Sequence, residues 1–538
     1  MALSAQHCFF PTVFFRCAGR LLRQLLVLGL LASGLGACTT VRPVSSPRAY
    51  QFTVSLSHLA GDRLGVVATV PRVRQEQVVF VVPKIVPGIY GAMNFGQYVT
   101  DLVALDRRGR ALPVQRQDTN SWLIRDARHL HQLRYRVADT WDRFHHVDGE
   151  PSNFYRSAGS AYQPDSAFVL NYNTFVGYLE GQPPRPYEIR IGKPVGFYGA
   201  SYLAPQPLND TLDVVRAPNY RELVDAPVLY ARPDTAWLQL GATKVLVAVH
   251  ATSSPHYAPV LAASIRQVLA QQRAYLGGTL PVAHYTFLVY HAQGRPGSYM
   301  GDGLEHSHST LCLMESPALN DLGPFLTQLT SHEFYHTVTP LNVHSQEIEH
   351  YDYRRPTLSA HLWLYEGLTE YETLHLPIRA GQQPLPAFLA NVAEKIEKMN
   401  HFDNTLSFTE LSRHAMARQD QYYNFYLKGA LFNLCLDVRL RELSGGTMGT
   451  QELVQRLLQR YGAHRPFRDD ELFDVITQLT YPEMRGFFRD YLEHAQPLPL
   501  AETFAKVGLA YQPATQQLQV LAQPTPAQLA LRRSWLGQ

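Results

Sequence analysis

Hydrophobic periodicity changes once along this chain, and that change limits the folds open to it more than any other feature. Up to about residue 245 apolar residues alternate with polar ones, as in "YQFTVSLSHL", where Phe52, Val54 and Leu56 share a face. Such alternation marks a half-buried strand. Similar short runs follow between turn residues: "LGVVATVP", "QVVFVVPKIV", "VTDLVALD", "SWLIRD" and "HQLRYRVAD". From residue 257 the spacing becomes helical. In "YAPVLAASIRQVLAQQRAYLGG" Val260, Leu261, Ile265, Val268, Leu269 and Leu276 are predicted to share one face, with Gly277 as the stop. A strand "HYTFLVYH", a glycine-rich turn "GSYMGDGLEHS" and an apolar run "STLCLM" come next. Mostly helical patterns then run from 322 to about 500, broken at Gly445 and Gly446. At 538 residues the chain exceeds what one core accommodates. The predicted fold class is therefore α+β and multidomain: a β-sandwich over residues 49–245, an α/β domain over 246–465, and a helical extension over 466–538.

Charge narrows the class of partner. The formal excess of +3 lies wholly in the first 37 residues, which hold Arg16, Arg20 and Arg23 and no acids. With no basic stripe and no glycine-rich phosphate loop, nucleic acid is not an expected partner. Those arginines lead into "QLLVLGLLASGLGAC", an apolar stretch too short for an ordinary spanning helix and ending in small residues. Residues 1–37 therefore read as an export signal. Its end, Leu35-Gly36-Ala37-Cys38, resembles the lipobox of bacterial lipoproteins, which implies cleavage before Cys38 and lipidation of its thiol. A Pro/Ser-rich tether over 38–48 would follow. The expected location is the bacterial cell envelope, lipid-anchored to a membrane through Cys38 and facing the periplasm or cell surface. Cys312 and Cys435 each sit inside an apolar run and are expected as buried free thiols.

The chemistry gathers around "SHEFYHTVTP" (331–340). Pro324 suits a first helical turn, and Pro340 disfavours helix at Thr339, so a helix is predicted over 324–338. On it His332 and His336 stand one turn apart on one face, close enough for both imidazoles to reach one Zn²⁺. Glu333 is rotated away, so its carboxylate addresses water at the metal rather than the metal. A catalytic zinc needs a third protein ligand. "HLWLYEGLTEYE" (361–372) supplies Glu366 on a second predicted helix, with Ser359 as its N-cap. Glu370, four residues on, is placed to accept a hydrogen bond from a ligand histidine's second nitrogen. His306, His308 and His344 have no metal spacing and read as pocket or structural residues.

H-E-x-x-H followed by W-L-Y-E-G resembles the gluzincins and, within them, the glycyl-aminopeptidase family. "PKIVPGIYGAMNFGQYV" with "DTNSW" is similar to that family's β-domain, "GDGLEHSHST" to its G-x-L-E-H segment, and "YLKGALFNLCLDVRLR" to its downstream helix. The resemblance implies a thermolysin-like catalytic domain and one Zn²⁺ per chain held by His332, His336 and Glu366. It makes Glu333 the general base and Tyr426 the donor to the tetrahedral oxyanion. It gives Gly303 and Glu305 to substrate binding, with Glu305 receiving the free α-amine. The implied activity removes small N-terminal residues, glycine or alanine, from peptides, with "STLCLM" as the edge strand that aligns the substrate. A zinc endopeptidase of the same clan and a catalytically silent peptide-binding lipoprotein are the alternatives. Two departures stand out. After His336 the chain reads "TVTPLNVHSQEIEH" where many members carry Trp-Asn and a basic stretch. Only about 30 residues follow "KVGLAY", so the family's C-terminal PDZ domain, and docking of a partner through one, are not expected.

Overall fold

The structure is a computed structural model that describes residues 49–141, 155–252, 256–294, 300–319 and 323–538. The expected signal, the tether and Cys38 lie outside the described residues. Among those described, no helix is long and apolar enough to cross a membrane.

The alternation read before residue 245 produces three sheets. Eight strands between Tyr50 and Ala217 form the largest. Its inward residues, among them Phe52, Val54, Leu64 and Val66, pack on Phe80, Trp122 and Ile124 of a four-stranded sheet that contains Gln77–Val81 and Ser121–Arg125. A second four-stranded sheet holds Ala167–Leu170 beside Val228–Ala231. Both of these strands are buried along their whole length, the pattern of a strand covered on two faces. Phe168 and Leu170 enter the sandwich core, while Val169 and Leu229 turn to Leu246, Leu288 and Leu311 of the next sheet. This middle layer welds the N-terminal part to the catalytic part.

The catalytic sheet begins earlier than expected. Thr235–Leu240 pairs antiparallel with Thr243–Ala251, so a boundary at 245 would cut a hairpin. The five strands run in the order Thr235–Leu240, Thr243–Ala251, His284–Gln293, Ser309–Ser316, Met300–His306. "STLCLM" is thus an inner strand, and the edge belongs to Met300–His306, in the stretch predicted as a turn. Gly301 and Gly303 gave that stretch its turn-like composition, yet both are set by packing. A methyl group on Gly301 would lie 2.6 Å from the Phe325 ring, and one on Gly303 would lie 2.5 Å from Glu333 Oε1.

The helix after residue 257 runs Ala258–Tyr275 and buries Leu261, Ile265 and Leu269 against Val245, Val247 and Phe287; Val268 is buried as well. Val260 is not on that face; it is 57% exposed, since it precedes Leu261 by about 100° of helical rotation. Gly277, at φ 84°, takes the left-handed conformation that ends the helix. Cys312 and Cys435 are both buried and free, as expected.

The histidine helix is Gly323–Tyr335, shorter than the predicted 324–338; tight turns follow from His336 to Asn342. The second helix departs further. Trp363–Leu368 is a π-helical segment that passes into the α-helix Thr369–Arg379. Ser359 precedes it, accepting the His361 N–H at 3.2 Å and giving its own hydroxyl to Asp469 Oδ1 at 2.5 Å; it therefore fixes the approach to the helix rather than capping its first turn. Beyond Leu443 the chain is mainly short helices with one hairpin, Leu509–Gln512 with Gln517–Val520. It closes on Trp535, whose indole donates to the Tyr371 hydroxyl at 2.9 Å.

The π segment crosses the long helix Tyr422–Leu443 at a contact between two glycines. A methyl group on Gly367 would lie 2.6 Å from Gly429 Cα, and one on Gly429 would lie 2.6 Å from Gly367 Cα. Gly367→Ala is therefore expected to destabilise the protein by about 1–3 kcal/mol through overpacking. A fall in the thermal unfolding midpoint larger than that of Ala substitution at the unobstructed Gly462 checks this.

Candidate metal centre

Three side chains converge: His332 from the histidine helix, His336 from the turn directly after it and Glu366 from the π segment. His332 Nε2 lies 3.6 Å and His336 Nε2 3.7 Å from Glu366 Oε2, and the candidate donor atoms of the three residues all fall within 4.8 Å of one another. Donor atoms about 2.1 Å from a tetrahedral zinc stand about 3.4 Å apart, so the spacing fits such an ion. Tautomers support the same reading. His332 Nδ1 is 3.1 Å from Glu370 Oε2, and His336 Nδ1 is 3.0 Å from the Thr339 carbonyl. A carbonyl accepts only, as does an ionised carboxylate, so each Nδ1 carries a proton and each Nε2 faces Glu366. Burial drives His336 down to about 4, which keeps its imidazole neutral.

Glu366 is oriented from the other side of the molecule. The Tyr90 hydroxyl, from the sandwich, donates to Glu366 Oε1 at 2.7 Å, leaving Oε2 for the histidines. Tyr90 is itself pinned, since Gln419 Nε2 donates to its carbonyl at 2.6 Å. Glu370 is held equally firmly. Burial alone would raise its pKa, but Lys395 and His332 outweigh burial and hold it at about 2.

Two further carboxylates enter from either side. A second group of donor atoms, from Glu305, Glu333 and His336, also lies within 4.8 Å. Burial lifts Glu333 to about 7, with the charges of Glu366 and Asp302 adding to it and His332 opposing. Glu305 rises well above its usual range for the same reasons, burial first and then Glu366 and Glu333. Glu333 Oε2 is buried with no hydrogen-bond partner in the protein. Buried carboxylates crowded together, with the neutral His336 and with His332, which burial pushes down but Glu366 and Glu370 hold well above the ordinary imidazole range, form a donor set that suits a divalent cation able to displace that proton.

Tyr426 stands beside this group, its ring centroid 5.8 Å from that of His332 and its hydroxyl 3.0 Å from that of Tyr422. Burial, then the charge of Glu366, raises its pKa well above the ordinary phenol, so it remains a donor. The fold thus gathers His332, Glu333, His336, Glu366, Glu370, Tyr426, Glu305 and Gly303 at one place. His306 pairs with Asp225, His308 stacks on Tyr202, and His344 pairs with Glu349, all apart from the metal group. Sequence reasoning missed Tyr90, although "VPGIYGAMNFG" had marked its neighbourhood. It also missed Asp302, a buried acid that burial lifts to about 6, next to Gly303.

Comparison with known proteins gives the family and the fold. Residues 51–232 match the peptidase M61 N-terminal domain and residues 326–432 match the M61 glycyl aminopeptidase domain, together more than half of the chain. An aminopeptidase N family protein from Idiomarina loihiensis shares the fold with a TM-score of 0.73 at 22% identity, over 86% of this chain and 79% of that one. An M1 zinc metallopeptidase from Deinococcus radiodurans gives 0.51 at 14% identity, over 84% and 95%. Native yeast LTA4 hydrolase gives 0.51 at 11% identity, over 86% and 70%. No curated protein matches the sequence.

Removing the hydrogen-bond partner of a ligand histidine typically weakens metal affinity 10–100-fold. Glu370→Ala is expected to lose zinc to a competing chelator at a concentration lower by about that factor, with the fold retained by circular dichroism.

Proposed function

The chain belongs to the M61 glycyl aminopeptidase family and is a zinc metallopeptidase, and from that premise we propose that it removes the first residue of peptides bearing a free N-terminus. One observation carries the reading: the carboxylate of Glu305 stands within 4.8 Å of Glu333 and His336 donor atoms. A carboxyl group that an incoming ammonium would hold ionised is then about one residue's length from the groups that would attack a carbonyl. A mutant of the Deinococcus radiodurans M1 zinc metallopeptidase binds a Tyr-Ser-Ala substrate, which supports a peptide here.

His332, His336 and Glu366 would hold the zinc, which supplies Lewis acidity that polarises a carbonyl and acidifies water. Glu333 accepts a proton from the attacking water on its unpartnered Oε2 and returns it to the departing amine. Gly303 leaves room for that carboxylate under the edge strand. Tyr426 keeps its proton and donates to the oxygen on which negative charge develops, a contribution of about 3 kcal/mol. Glu305 binds the α-ammonium and so fixes which peptide bond is presented. Met300–His306, at the edge of the sheet, is suited to pair with an extended peptide. The lipid anchor on Cys38 belongs to this reading on the strength of the lipobox, and sets the enzyme on the outer side of a bacterial membrane.

Glu333→Gln is expected to lower kcat by at least about 10²-fold while zinc content stays stoichiometric. Glu305→Gln is expected to lose activity on free-amine peptides and gain none on N-acetylated ones. Comparable cleavage of free and N-acetylated peptides would identify an endopeptidase instead, and cleavage of neither a silent binder. Cys38→Ser is expected to move the protein from the membrane fraction to the soluble one; unchanged fractionation removes the anchor from the reading.

A further inference from the structure

At Glu305 the sandwich and the catalytic part enclose a cavity of about 70 Å³. That is several times the minimum that admits one water, and more than an alanine methyl needs. Its wall is largely apolar, with Ile89 and Val224 from the sandwich and Leu341, Ile348, Tyr353 and Leu358 from the segment between the two zinc-site helices. Pro340 of the divergent "TVTP" stretch also lines it. Glu305 closes one end, resting on Gly88, where a methyl group would lie 2.6 Å from Glu305 Oε2.

The charged groups along the wall are already engaged. Arg221 Nη1 donates to Glu349 Oε2 at 2.7 Å and to the Glu349 carbonyl at 2.9 Å. Asp225 accepts the Ser307 N–H at 3.1 Å and faces His306 Nδ1 at 3.3 Å. An ionised side chain entering the cavity would give up its water for a largely apolar wall, whereas an apolar one would lose unfavourable hydration. An α-amine on Glu305 puts the first residue's Cα one bond away, so its side chain starts where the cavity opens.

We propose that this cavity receives the side chain of the substrate's first residue, and that the enzyme prefers leucine- to phenylalanine-sized apolar residues over glycine and alanine. The proposal rests on the aminopeptidase reading and departs from the small-residue preference implied by the family resemblance, which would leave the cavity unfilled.

The test measures kcat/KM of the zinc-loaded full chain on aminoacyl-p-nitroanilides of Gly, Ala, Leu, Phe, Glu and Lys. Leu and Phe are expected to exceed Ala by at least about tenfold, with Gly, Glu and Lys below Leu. Leu358→Trp, which fills the cavity, is expected to reduce the Leu-to-Ala ratio at least about tenfold. Calorimetry on Glu333→Gln reads the same preference without turnover, leucinamide binding more tightly than glycinamide. If Gly, Ala, Glu or Lys matches or exceeds Leu and Phe, or if a folded Leu358→Trp keeps the wild-type ratio, the cavity assignment is overturned while the aminopeptidase reading stands. If N-acetyl-leucyl peptides are cut as fast as free ones, or no free-amine substrate is cut, that reading falls and the assignment with it.

Discussion

Where Gly367 meets Gly429, two helices touch backbone to backbone, and the candidate site depends on that contact. Glu366 is the residue before the first glycine, and Tyr426 lies one turn before the second. Any side chain at either glycine would drive apart the segments that carry them. The π-helical turn makes the approach workable. A wider i→i+5 turn leaves backbone groups without their usual partners, and the Asn433 side-chain amide donates to the Trp363 carbonyl at 2.8 Å and to the Gly429 carbonyl at 2.9 Å. One buried amide thus satisfies a carbonyl on each side of the crossing.

Around that crossing the electrostatics are arranged by commitment of hydrogen bonds rather than by isolated charges. Each of the two histidines has its Nδ1 proton spoken for, one by a carboxylate that Lys395 keeps ionised and one by a backbone carbonyl. Glu366 has one oxygen taken by Tyr90. What is left to face one another are two Nε2 atoms, Glu366 Oε2 and the unpartnered Glu333 Oε2. Burying charge is costly unless it is paired, and the pairing here leaves the free electron pairs aimed at one region. A ligand set fixed this way needs little rearrangement when a cation arrives.

Much of the site was legible in the sequence because its parts are local. His332, Glu333 and His336 follow from helical spacing, and Glu366 with Glu370 from the same spacing thirty residues on. The errors have physical causes. The edge strand was read as a turn because Gly301 and Gly303 look like turn residues, whereas they are small because Phe325 and Glu333 occupy the space above them. The π turn has no periodicity of its own, so an ordinary helix was expected. Tyr90 acts across 276 residues of sequence, beyond the reach of any local pattern. The sandwich was foreseen from its alternation, but the layer at Ala167–Leu170 and Val228–Ala231, buried on both faces, gives continuous apolar runs that do not announce which sheet they serve.

The sandwich is therefore a wall of the site and not an appendage to it. Its loop at 86–90 supplies Gly88 beneath Glu305 and Tyr90 against Glu366, while Gln419 ties the same loop back to the catalytic part. The opposite wall comes from 340–358. Neither segment contains a candidate metal ligand. Side chains in both can change the volume beside Glu305 without disturbing His332, His336 or Glu366, so the metal group and the choice of substrate are separable within one fold. A chain can then keep the chemistry of its family while taking a different first residue.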